Sequence, residues 1–430
     1  MKANSQKRFK VVITAFACSP YQGSEDGVGW NLVSRLGRHH DVTVIYGDIG
    51  KDNRRQRDIQ KWIHEYGNPP GVELVYVSQS SFGNCLLQVA HYGKRIFPPL
   101  VFVFYYAYRH WLRRAYRMAE SLHTVNRFDC AHQLTYVSYR EPGYLWKLSI
   151  PFFWGPITGT VNAPWAYFGI LGAWARLRFS FRNLANMIQR KGTRYILEAA
   201  REAKVIWVVA NEDKRIIHDY WQLNTRFLPA TGTDCTNIAN TRKSHCMTDK
   251  LKIVWSGILE GGKALPLLLH ALSILEEKNR VTLDILGSGP EKQKWLRLSE
   301  QLKIDQLIRW RGHMKLADAK SCMADADIFV FTSIKEGTPT VIMEALQLGL
   351  PVVCHDACGM ALVIDDSCGI KIPMLNPETS IQGFHDAIKK LVNNPQLLID
   401  LSQGAIERAS EFTWEKNAEK IASAYTEQSH

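Results

Sequence analysis

Residues 328–346 read IFVFTSIKEGTPTVIMEAL, and this stretch decides the predicted fold of the chain around it. The apolar run predicts a strand over residues 328–332, and the glycine and proline that follow it predict a turn. Thr338 is a suitable N-cap, and Pro339 is a suitable first residue for a helix. The stretch therefore predicts a strand, a turn and a helix in that order.

Two glutamates flank the predicted helix start: Glu336 precedes it, and Glu344 lies about two turns after it. Free backbone N–H groups at such a start favour an anion, most simply a phosphate. Carboxylates accept hydrogen bonds from neighbouring hydroxyls, as in the recognition of ribose and hexoses. The pattern indicates a site for an elongated sugar and phosphate ligand, and a capping motif with two surface glutamates is the alternative.

Similar strand-like runs alternate with helical stretches along the whole chain. This alternation predicts parallel sheets whose strands are joined by crossover helices. The predicted strands are residues 11–15, 42–46, 74–77, 130–133, 152–154, 205–210, 252–255, 282–286, 308–311, 328–332, 352–354 and 369–372.

The length of 430 residues exceeds what one hydrophobic core accommodates, so two domains are expected. Residues 228–250 lack a sustained apolar pattern and mark the linker. We predict an N-terminal domain over 1–230, a C-terminal domain over 231–412, and a helix over 413–430 that packs back toward the N-terminal domain. In doubly wound sheets ligands bind beyond the carboxyl ends of the strands, and a cleft between the two domains is the expected site.

The net charge of +12 is concentrated in one half of the chain. Residues 1–230 hold 31 basic and 16 acidic residues, which suggests an anionic partner for that half. No nucleic-acid recognition motif accompanies the charge, so nucleic acid is not an expected partner. The odd number of cysteines, 9, suits reduced thiols and a cytoplasmic location.

Two acid-free segments combine arginine with aromatic residues. Between Glu73 and Glu120, basic residues recur every fourth position, as on an interfacial helix; between Glu141 and Glu198 they alternate with aromatics. We expect these segments to form an acceptor or anionic membrane surface, with the protein peripheral at the inner face of the cell membrane. A solvated basic face over an aromatic core is the alternative. The residues predicted for this surface are Arg109, Arg113, Arg117, Trp165, Trp174, Arg176 and Arg178.

No segment is long enough to predict a membrane-spanning helix. Residues 1–20 imitate a signal peptide, but a strand followed by a glycine loop explains the same residues and is favoured.

The strand, turn and helix with Glu336 and Glu344 resemble the signature of retaining GT-B glycosyltransferases, specifically the large family 4 (glycosyl transferases group 1). Other landmarks follow in the order of that family along nearly the whole chain. They are ACSP at 17–20, GSEDGVGW at 23–30, DCAH at 129–132, WGPITG at 154–159, SG at 256–257, KAL at 263–265, LGSGP at 286–290, GH at 312–313 and FTWE at 412–415. The resemblance implies a GT-B fold, with two doubly wound Rossmann-like domains facing a central cleft.

The resemblance also implies roles for single residues. Glu344 would hold the ribose hydroxyls of a nucleotide, and Glu336 would hold the transferred sugar. Lys263 would pair with the diphosphate, and His132 would lie beside the sugar as a catalytic residue; a satisfied histidine at a strand end is the alternative for His132. The implied donor-binding set is Gly23, Gly257, Lys263, Gly287, His313, Glu336, Gly337, Thr338, Pro339, Thr340 and Glu344.

This chain departs from the family at Ile258, where an arginine commonly follows the glycine. One phosphate-pairing cation is therefore missing. Gly159 and Thr160 also depart from the glycine-richer form of their loop, which leaves the acceptor contacts open.

A metal site is not expected. Asp325 and Asp327 resemble a metal-binding pair but precede a buried strand, so a helix-end role is favoured. The cysteines 354, 358 and 368 with His355 lack the short spacing of a zinc hook.

We therefore predict a retaining, metal-independent glycosyltransferase with no cofactor. Its donor would be a nucleotide-diphosphate sugar, with UDP-sugar favoured over GDP-sugar, and its acceptor a glycan or lipid-linked saccharide in surface polysaccharide biosynthesis. A nucleotide-sugar epimerase of similar fold and a non-catalytic scaffold are the alternatives.

Overall fold

The computed structural model describes residues 7–48, 53–93, 100–234 and 250–427. The chain forms two compact units. The N-terminal unit comprises Met1–Val161, Leu184–Ala230 and Trp414–His430, and the C-terminal unit comprises Asn162–Asn183 and Thr231–Thr413.

The division differs from the predicted 1–230 boundary in one respect: Asn162–Asn183 belong to the C-terminal unit. Tyr167 explains why, since its fully buried ring belongs to the apolar core of that unit and its hydroxyl lies 3.0 Å from the carbonyl oxygen of Asn376. Of the predicted linker 228–250, residues 235–249 lie outside the described residues.

The N-terminal unit is built on a seven-stranded sheet whose neighbouring strands are all parallel. Its strands are β1 (Lys10–Ala15), β2 (Asp41–Tyr46), β3 (Val72–Tyr76), β4 (Cys130–Thr135), β5 (Phe152–Ile157), β6 (Ala203–Val208) and β7 (Arg226–Phe227). They lie in the order β3-β2-β1-β4-β5-β6-β7. The order reverses at β1, so the edge beyond β1 and β4 is a topological switch point where ligands commonly bind.

Helices connect these strands. They are α1 (Ser24–Leu36), α2 (Arg54–Tyr66), α3 (Ser81–Gly93), α4 (Val101–Asn126), α5 (Ala173–Gln189), α6 (Arg194–Glu202) and α7 (Asn211–Trp221). The division between the two units falls within α5.

The C-terminal unit is built on a six-stranded parallel sheet. Its strands are β8 (Leu251–Ser256), β9 (Val281–Leu286), β10 (Ile308–Gly312), β11 (Ile328–Phe331), β12 (Val352–His355) and β13 (Gly369–Ile372), in the order β10-β9-β8-β11-β12-β13. The remaining helices are α8 (Pro266–Ser273), α9 (Lys292–Gln301), α10 (Leu316–Ala324), α11 (Thr340–Gln347), α12 (Met360–Val363), α13 (Pro377–Asn393), α14 (Pro395–Glu411) and α15 (Trp414–Glu427).

The last helix, α15, belongs to the N-terminal unit. Tyr425 is fully buried there, and its ring packs edge-on against Phe153 at a centroid distance of 4.8 Å. Arg35 on α1 donates a 2.7 Å hydrogen bond to Glu415 at the start of α15. Apolar packing and this ion pair together hold the end of the chain against α1 and the first sheet.

The predicted α/β fold class, with two Rossmann-like domains, is confirmed. Each predicted strand is present. The short strand β7 was not predicted, because two residues are too few to show a hydrophobic pattern. Among the helices of the described residues, none has the length and apolar character needed to cross a bilayer.

Candidate donor site and acceptor surface

Three glycines lie together at the carboxyl edge of the C-terminal sheet, where β8, β9 and β10 end. The N–H of Gly257 donates to the carbonyl of Leu286 at 3.0 Å, and the N–H of Gly287 donates to the carbonyl of Gly312 at 2.7 Å. The three loops are therefore linked through their backbones. Because the linked residues are glycines, few side-chain atoms cover this edge.

Gly287 has a backbone conformation that other residues rarely adopt, with φ of +135°. A Cβ atom added there would lie 1.9 Å from the carbonyl oxygen of Gly257, which is closer than any real contact. Gly312 also has a positive φ, +72°, but a Cβ there would meet nothing within 4 Å. The close approach of two loops explains the glycine at 287, and backbone conformation alone favours it at 312.

A short 3₁₀ turn, Gly261–Lys263, is fixed to the end of β11 by side chains that follow this strand. Thr332 Oγ1 donates to the carbonyl of Lys263 at 2.6 Å, and Ser333 Oγ lies 3.1 Å from the carbonyl oxygen of Gly262. The sequence TS after the strand thus places Lys263 beside the loop that contains Glu336.

Lys263 and Glu336 form an ion pair, with side chains 19% and 20% exposed. Ser333 Oγ lies 2.9 Å from Oε1 of the same glutamate. The Lys263 ammonium also lies 5.1 Å above the ring centroid of Phe331. A cation held this way, partly screened from water yet still accessible, is suited to pair with phosphate oxygens.

Helix α11 begins one residue later than predicted. Its N-cap is Pro339, with φ −69° and ψ 125°, and the first helical residue is Thr340. The prediction of Thr338 as N-cap was wrong, because Pro339 is extended and Thr338 lies buried before it, with its carbonyl accepting from Thr231 at 3.4 Å. The loop at Gly337 is tightly packed, since a Cβ on Gly359 would lie 2.2 Å from the Gly337 oxygen.

Glu344 lies on the second turn of α11 and is half-buried. Burial raises the pKa of its carboxyl, and the charge of Lys320 lowers it in part. Within the described residues, the Glu344 carboxylate has no hydrogen-bond or ion-pair partner. A half-buried carboxylate that is not hydrogen-bonded to any described residue is available to accept hydrogen bonds from the hydroxyl groups of a ligand.

Other predicted donor residues lie on the same unit. His313 follows the end of β10 and is exposed, and Ile258, directly after Gly257, is 60% exposed. The isoleucine that replaces the family's usual arginine therefore points outward and has no packing role that would exclude a longer side chain.

In the N-terminal unit, His132 lies in the middle of β4 and is completely buried. Its Nε2–H donates to the carbonyl of Gly155 at 2.7 Å, and its Nδ1 accepts from the hydroxyl of Tyr425 at 2.5 Å. Burial lowers the pKa of His132 to about 4. This arrangement matches the alternative of a satisfied histidine rather than a catalytic one.

Gly23 is the N-cap of α1 and is exposed, with φ −85° and no atom within 4 Å of an added Cβ. Nothing in the fold itself requires glycine at this position. The contacts of Gly29, on the same helix, are different, since a Cβ there would lie 2.0 Å from the Ala17 oxygen.

A charged cluster that the sequence did not reveal follows Gly23. Arg55, 4% exposed, forms an ion pair with Asp26 and lies 5.0 Å above the Phe16 ring. Glu25 accepts a 3.2 Å hydrogen bond from the N–H of Val137, and burial raises the pKa of Glu25 to about 7. The motif GSEDG contains both acids, but their partners lie far away in sequence, so only the fold brings them together.

The basic residues predicted for α4 do not form one free stripe. Arg109 makes two hydrogen bonds to Glu141, at 2.9 and 2.6 Å, and Arg113 donates to the Tyr144 hydroxyl at 3.1 Å. Arg117 is exposed. The predicted stripe is thus divided between internal contacts and solvent.

The second predicted segment is more exposed. Trp165 and Trp174 are 53% and 45% exposed, and Arg176 is exposed beside them. Arg178 is paired with Glu260 at 3.3 Å within the C-terminal unit.

No cluster of three or more histidine, cysteine or acidic side chains that could hold a metal occurs in the part of the chain that the structure describes. His355, considered for zinc, instead lies with Nδ1 3.1 Å from the Ser333 carbonyl oxygen and Nε2 2.9 Å from Ser380 Oγ. Asp327 accepts a 2.8 Å hydrogen bond from the N–H of Lys252 at the start of β8.

Two α/β units, each built on a parallel sheet, correspond to the class of GT-B-like α/β proteins. The C-terminal unit also contains Lys263, two glutamates and the glycine edge. Comparison with known families is more specific: residues 237–409 match the model of "Glycosyl transferases group 1". The match covers less than half of the chain, so residues 237–409 are similar to a group 1 glycosyltransferase domain.

Two curated relatives with glycosyltransferase names are similar to part of this chain. The D-inositol 3-phosphate glycosyltransferase of Saccharomonospora viridis is 27% identical over 189 residues, which cover 42% of this chain and 43% of that protein. The putative colanic acid biosynthesis glycosyltransferase WcaL of Salmonella typhimurium is 28% identical over 143 residues, 29% of this chain and 34% of that protein. The chain thus spans less than half the length of these relatives.

Among solved structures, WaaG, a glycosyltransferase involved in lipopolysaccharide biosynthesis, is similar with a TM-score of 0.56 and 18% identity, covering 97% of this chain and 99% of that chain. Anabaena HepE in complex with UDP and glucose gives a TM-score of 0.55 at 14% identity, with 98% and 100% covered. At these identities the likeness shows a shared GT-B fold.

Proposed function

We propose that this protein is a glycosyltransferase that moves a sugar from a nucleotide-diphosphate sugar to a hydroxyl acceptor. The observation that carries the proposal is the half-buried Glu344, which has no hydrogen-bond or ion-pair partner among the described residues. It lies on the same strand, turn and helix as Glu336, the ion-pair partner of Lys263. Glu344 accepts ribose hydroxyls, Lys263 pairs with the diphosphate, and Glu336 contacts the transferred sugar.

The chemical demand on such a site is to stabilise the diphosphate as it leaves. Lys263 lies where negative charge grows, and the start of α11 adds backbone N–H groups directed at the same anion. We further propose that transfer proceeds with retention at the anomeric carbon and without a metal. The names of the group 1 relatives support the reaction class, and the HepE complexes with UDP support a nucleotide donor.

Thermal shift with UDP, GDP, dTDP and CMP, each alone and with a sugar attached, tests the donor site. Glu344→Ala is expected to abolish the shift that one nucleotide gives with the wild type. Glu300→Ala, an exposed glutamate on α9, is the matched control and should leave the shift unchanged. If no nucleotide stabilises the wild type, the scaffold alternative replaces this proposal.

Product analysis separates a transferase from an epimerase. With donor alone, an epimerase converts the sugar, whereas a transferase gives a new glycoside only when a hydroxyl acceptor is added. The anomeric configuration of the product, read by NMR coupling constants, tests retention directly. An inverted product would contradict the proposed stereochemistry.

For the acceptor, we propose a glycan or lipid-linked saccharide reached at an anionic membrane surface. Large apolar side chains form an exposed row on α5, with Trp174, Leu177, Leu184 and Ile188 exposed by 45%, 56%, 59% and 70%. Their spacing places them on one helix face, and no acidic residue occurs from 142 to 197. An apolar row on the same helix as the exposed Arg176 suits an anionic lipid interface. The names of WcaL and WaaG agree with such an acceptor.

Flotation with vesicles that contain phosphatidylglycerol tests this surface. The wild type is expected to float at low salt, and Leu177→Glu should reduce flotation because it places an acid in the apolar row. Val125→Glu, at an 80% exposed position on α4, is the control and should float like the wild type. Equal flotation of all three proteins, or none by the wild type, would refute the α5 surface.

A further inference from the structure

A cavity of about 180 Å³ lies within the N-terminal unit. It is bounded by the first half of α4, the loop that follows β4, the last turn of α5 and the start of α6. Its lining includes Tyr105, Tyr106, Arg109, Arg140, Glu141 and Thr193. Sites that enclose a whole small molecule have about 300–1,000 Å³, so this cavity suits one chemical group of a larger ligand.

Arg140 is the unusual residue in this lining. It is only 7% exposed, and its Nε and Nη2 donate at 2.7 Å to the side-chain oxygens of Gln189 and Asn186. The guanidinium also lies 4.5 Å above the ring of Tyr139 and 5.7 Å from that of Tyr105. Neutral amides and aromatic rings therefore hold the guanidinium in place.

Among the residues that the structure describes, no carboxylate forms an ion pair with Arg140, and Nη1 has no hydrogen-bond acceptor. The charges of Glu141 and Arg140 interact without forming an ion pair. A largely buried cation whose charge is only partly balanced is costly, because its hydrogen bonds to neutral amides replace only part of its hydration. A bound anion would supply the missing charge and accept the remaining N–H groups.

The neighbouring charges do not supply that anion. Glu141 is 2% exposed at its side chain and is occupied by the bidentate contact from Arg109, which neutralises it. Helix α6 starts at this cavity, with Thr193 as its N-cap accepting from the N–H of Ile196. The positive end of that helix dipole adds to the charge of Arg140. The cavity thus has an excess of positive charge.

We propose that this cavity binds a phosphate or diphosphate group of the acceptor substrate, with Arg140 as the principal ligand. Arg140 follows the carboxyl end of β4, the edge of the sheet where ligands of doubly wound folds bind. Tyr106, 55% exposed, lies at the cavity and offers a surface for the part of the acceptor that extends outward. The assignment to the acceptor rests on the proposed glycosyltransferase function, whereas anion binding by the cavity does not.

The test titrates the full chain with inorganic phosphate, pyrophosphate and a hexose 1-phosphate, with the neutral hexose as reference. Calorimetry is carried out in a Lys263→Met background, so that the proposed donor site does not contribute. Arg140→Met keeps much of the side-chain volume and removes the charge. We expect it to weaken phosphate binding by about 10-fold or more, as for loss of a hydrogen bond to a charged group.

Because Arg140 is buried, a second variant guards against simple misfolding. Tyr106→Glu places an acid at an exposed position of the lining and should weaken phosphate binding by charge repulsion. Tyr66→Glu, at a 67% exposed tyrosine on α2, is the matched control for Tyr106→Glu. It should bind phosphate as tightly as the Lys263→Met protein does. Phosphate affinity unchanged in both Arg140→Met and Tyr106→Glu would overturn the proposal.

Vesicles that contain phosphatidylglycerol distinguish a lipid phosphate from a soluble one. Binding of soluble phosphates that depends on Arg140 identifies a soluble acceptor group, and vesicle binding alone that depends on Arg140 identifies a lipid phosphate; both support the subsite. UDP binding to the wild type is measured in parallel. If UDP binds but the binding of no anion depends on Arg140, the proposed phosphate subsite is wrong and the glycosyltransferase proposal stands. If anion binding depends on Arg140 but no nucleotide binds, only the proposal for the donor site fails.

Discussion

The two units differ in how their predicted site residues are arranged. In the C-terminal unit, Lys263 and Glu336 form an ion pair, and Glu344 follows on the next helix. In the N-terminal unit, Gly23 is exposed at the start of α1, whereas His132 is enclosed in the core. Within one strand, turn and helix, the local sequence determines most of the relative positions of the residues. The role of one isolated residue instead depends on neighbours that are distant in sequence.

The same difference applies to glycine. At 287 the fold itself excludes any side chain, since two loops meet there, while at 23 it leaves open space. The glycine edge of the C-terminal unit is thus required for stability, and Gly23 is required, if at all, by a ligand. The following predictions test this contrast.

The largest effect is expected for Gly287→Ala. A Cβ 1.9 Å from the Gly257 oxygen, at a φ of +135°, forces the two loops apart. We expect the free energy of unfolding to fall by about 4 kcal/mol or more, measured by denaturant unfolding of the full chain.

Two glycine variants serve as controls for that experiment. Gly312→Ala has a positive φ without a clash and should cost about 1 kcal/mol. Gly23→Ala has neither, and its unfolding free energy should stay within about 0.5 kcal/mol of the wild type. A Gly23→Ala effect as large as that of Gly287→Ala would remove the contrast between the units.

The next effect concerns transfer itself. Glu336→Gln removes the negative charge beside Lys263 but keeps an oxygen that can accept from Ser333 Oγ. If Glu336 contacts the transferred sugar, kcat should fall by about 10²- to 10³-fold, as when one preorganised polar contact is lost. Glu300→Gln on α9 is the control, and steady-state kinetics with equal kcat for wild type and Glu336→Gln would contradict the assigned role.

A pH experiment compares the buried histidine of each unit. Burial lowers the pKa of both His132 and His355 to about 4, from an ordinary value of 6.5. Between pH 6.5 and 4 the unfolded chain takes up a proton that the folded chain does not, so stability is full above pH 6.5 and falls as the pH drops. Each histidine should contribute a loss of up to about 3 kcal/mol.

Replacement of either histidine by glutamine should remove the contribution of that histidine to the pH dependence of the unfolding free energy. Urea unfolding between pH 7.5 and 4 measures this dependence. Glutamine retains one donor and one acceptor, so the pH dependence is compared rather than the absolute stability. A slope that is unchanged in His132→Gln would show that this ring is hydrated and titrates normally, and would return it to consideration as a catalytic group.

Sequence reasoning could predict the parallel sheets because buried parallel strands are continuous apolar runs, as in 328–331. It could also predict that Glu336 precedes α11 and that Glu344 lies on this helix, since both belong to one local motif. It could not predict that Arg55 meets Asp26, or that Asn162–Asn183 join the second unit, because these contacts depend on tertiary packing. The buried Arg140 was missed for the same reason: arginine is ordinarily exposed, and only its aromatic and amide neighbours show otherwise.

The smallest expected effect comes from Ile258→Arg, which supplies the cation that the family resemblance leads us to expect after Gly257. Ile258 is 60% exposed directly after Gly257, so an arginine can be placed there without disturbing the core. A new charge near the diphosphate should tighten nucleotide binding by about 5- to 10-fold, or roughly 1 kcal/mol. Calorimetry with the nucleotide that stabilises the wild type measures this change.

Ile274→Arg is the matched control, since Ile274 is 48% exposed at the end of α8, which runs away from the carboxyl edge of the same sheet. It adds the same charge to the same unit and should change nucleotide affinity little. If Ile258→Arg and Ile274→Arg tighten binding equally, the gain reflects overall charge, and the carboxyl edge of β8 is not where the diphosphate lies. A gain confined to Ile258→Arg places the diphosphate beside Gly257 and shows that Lys263 alone leaves part of its charge unpaired.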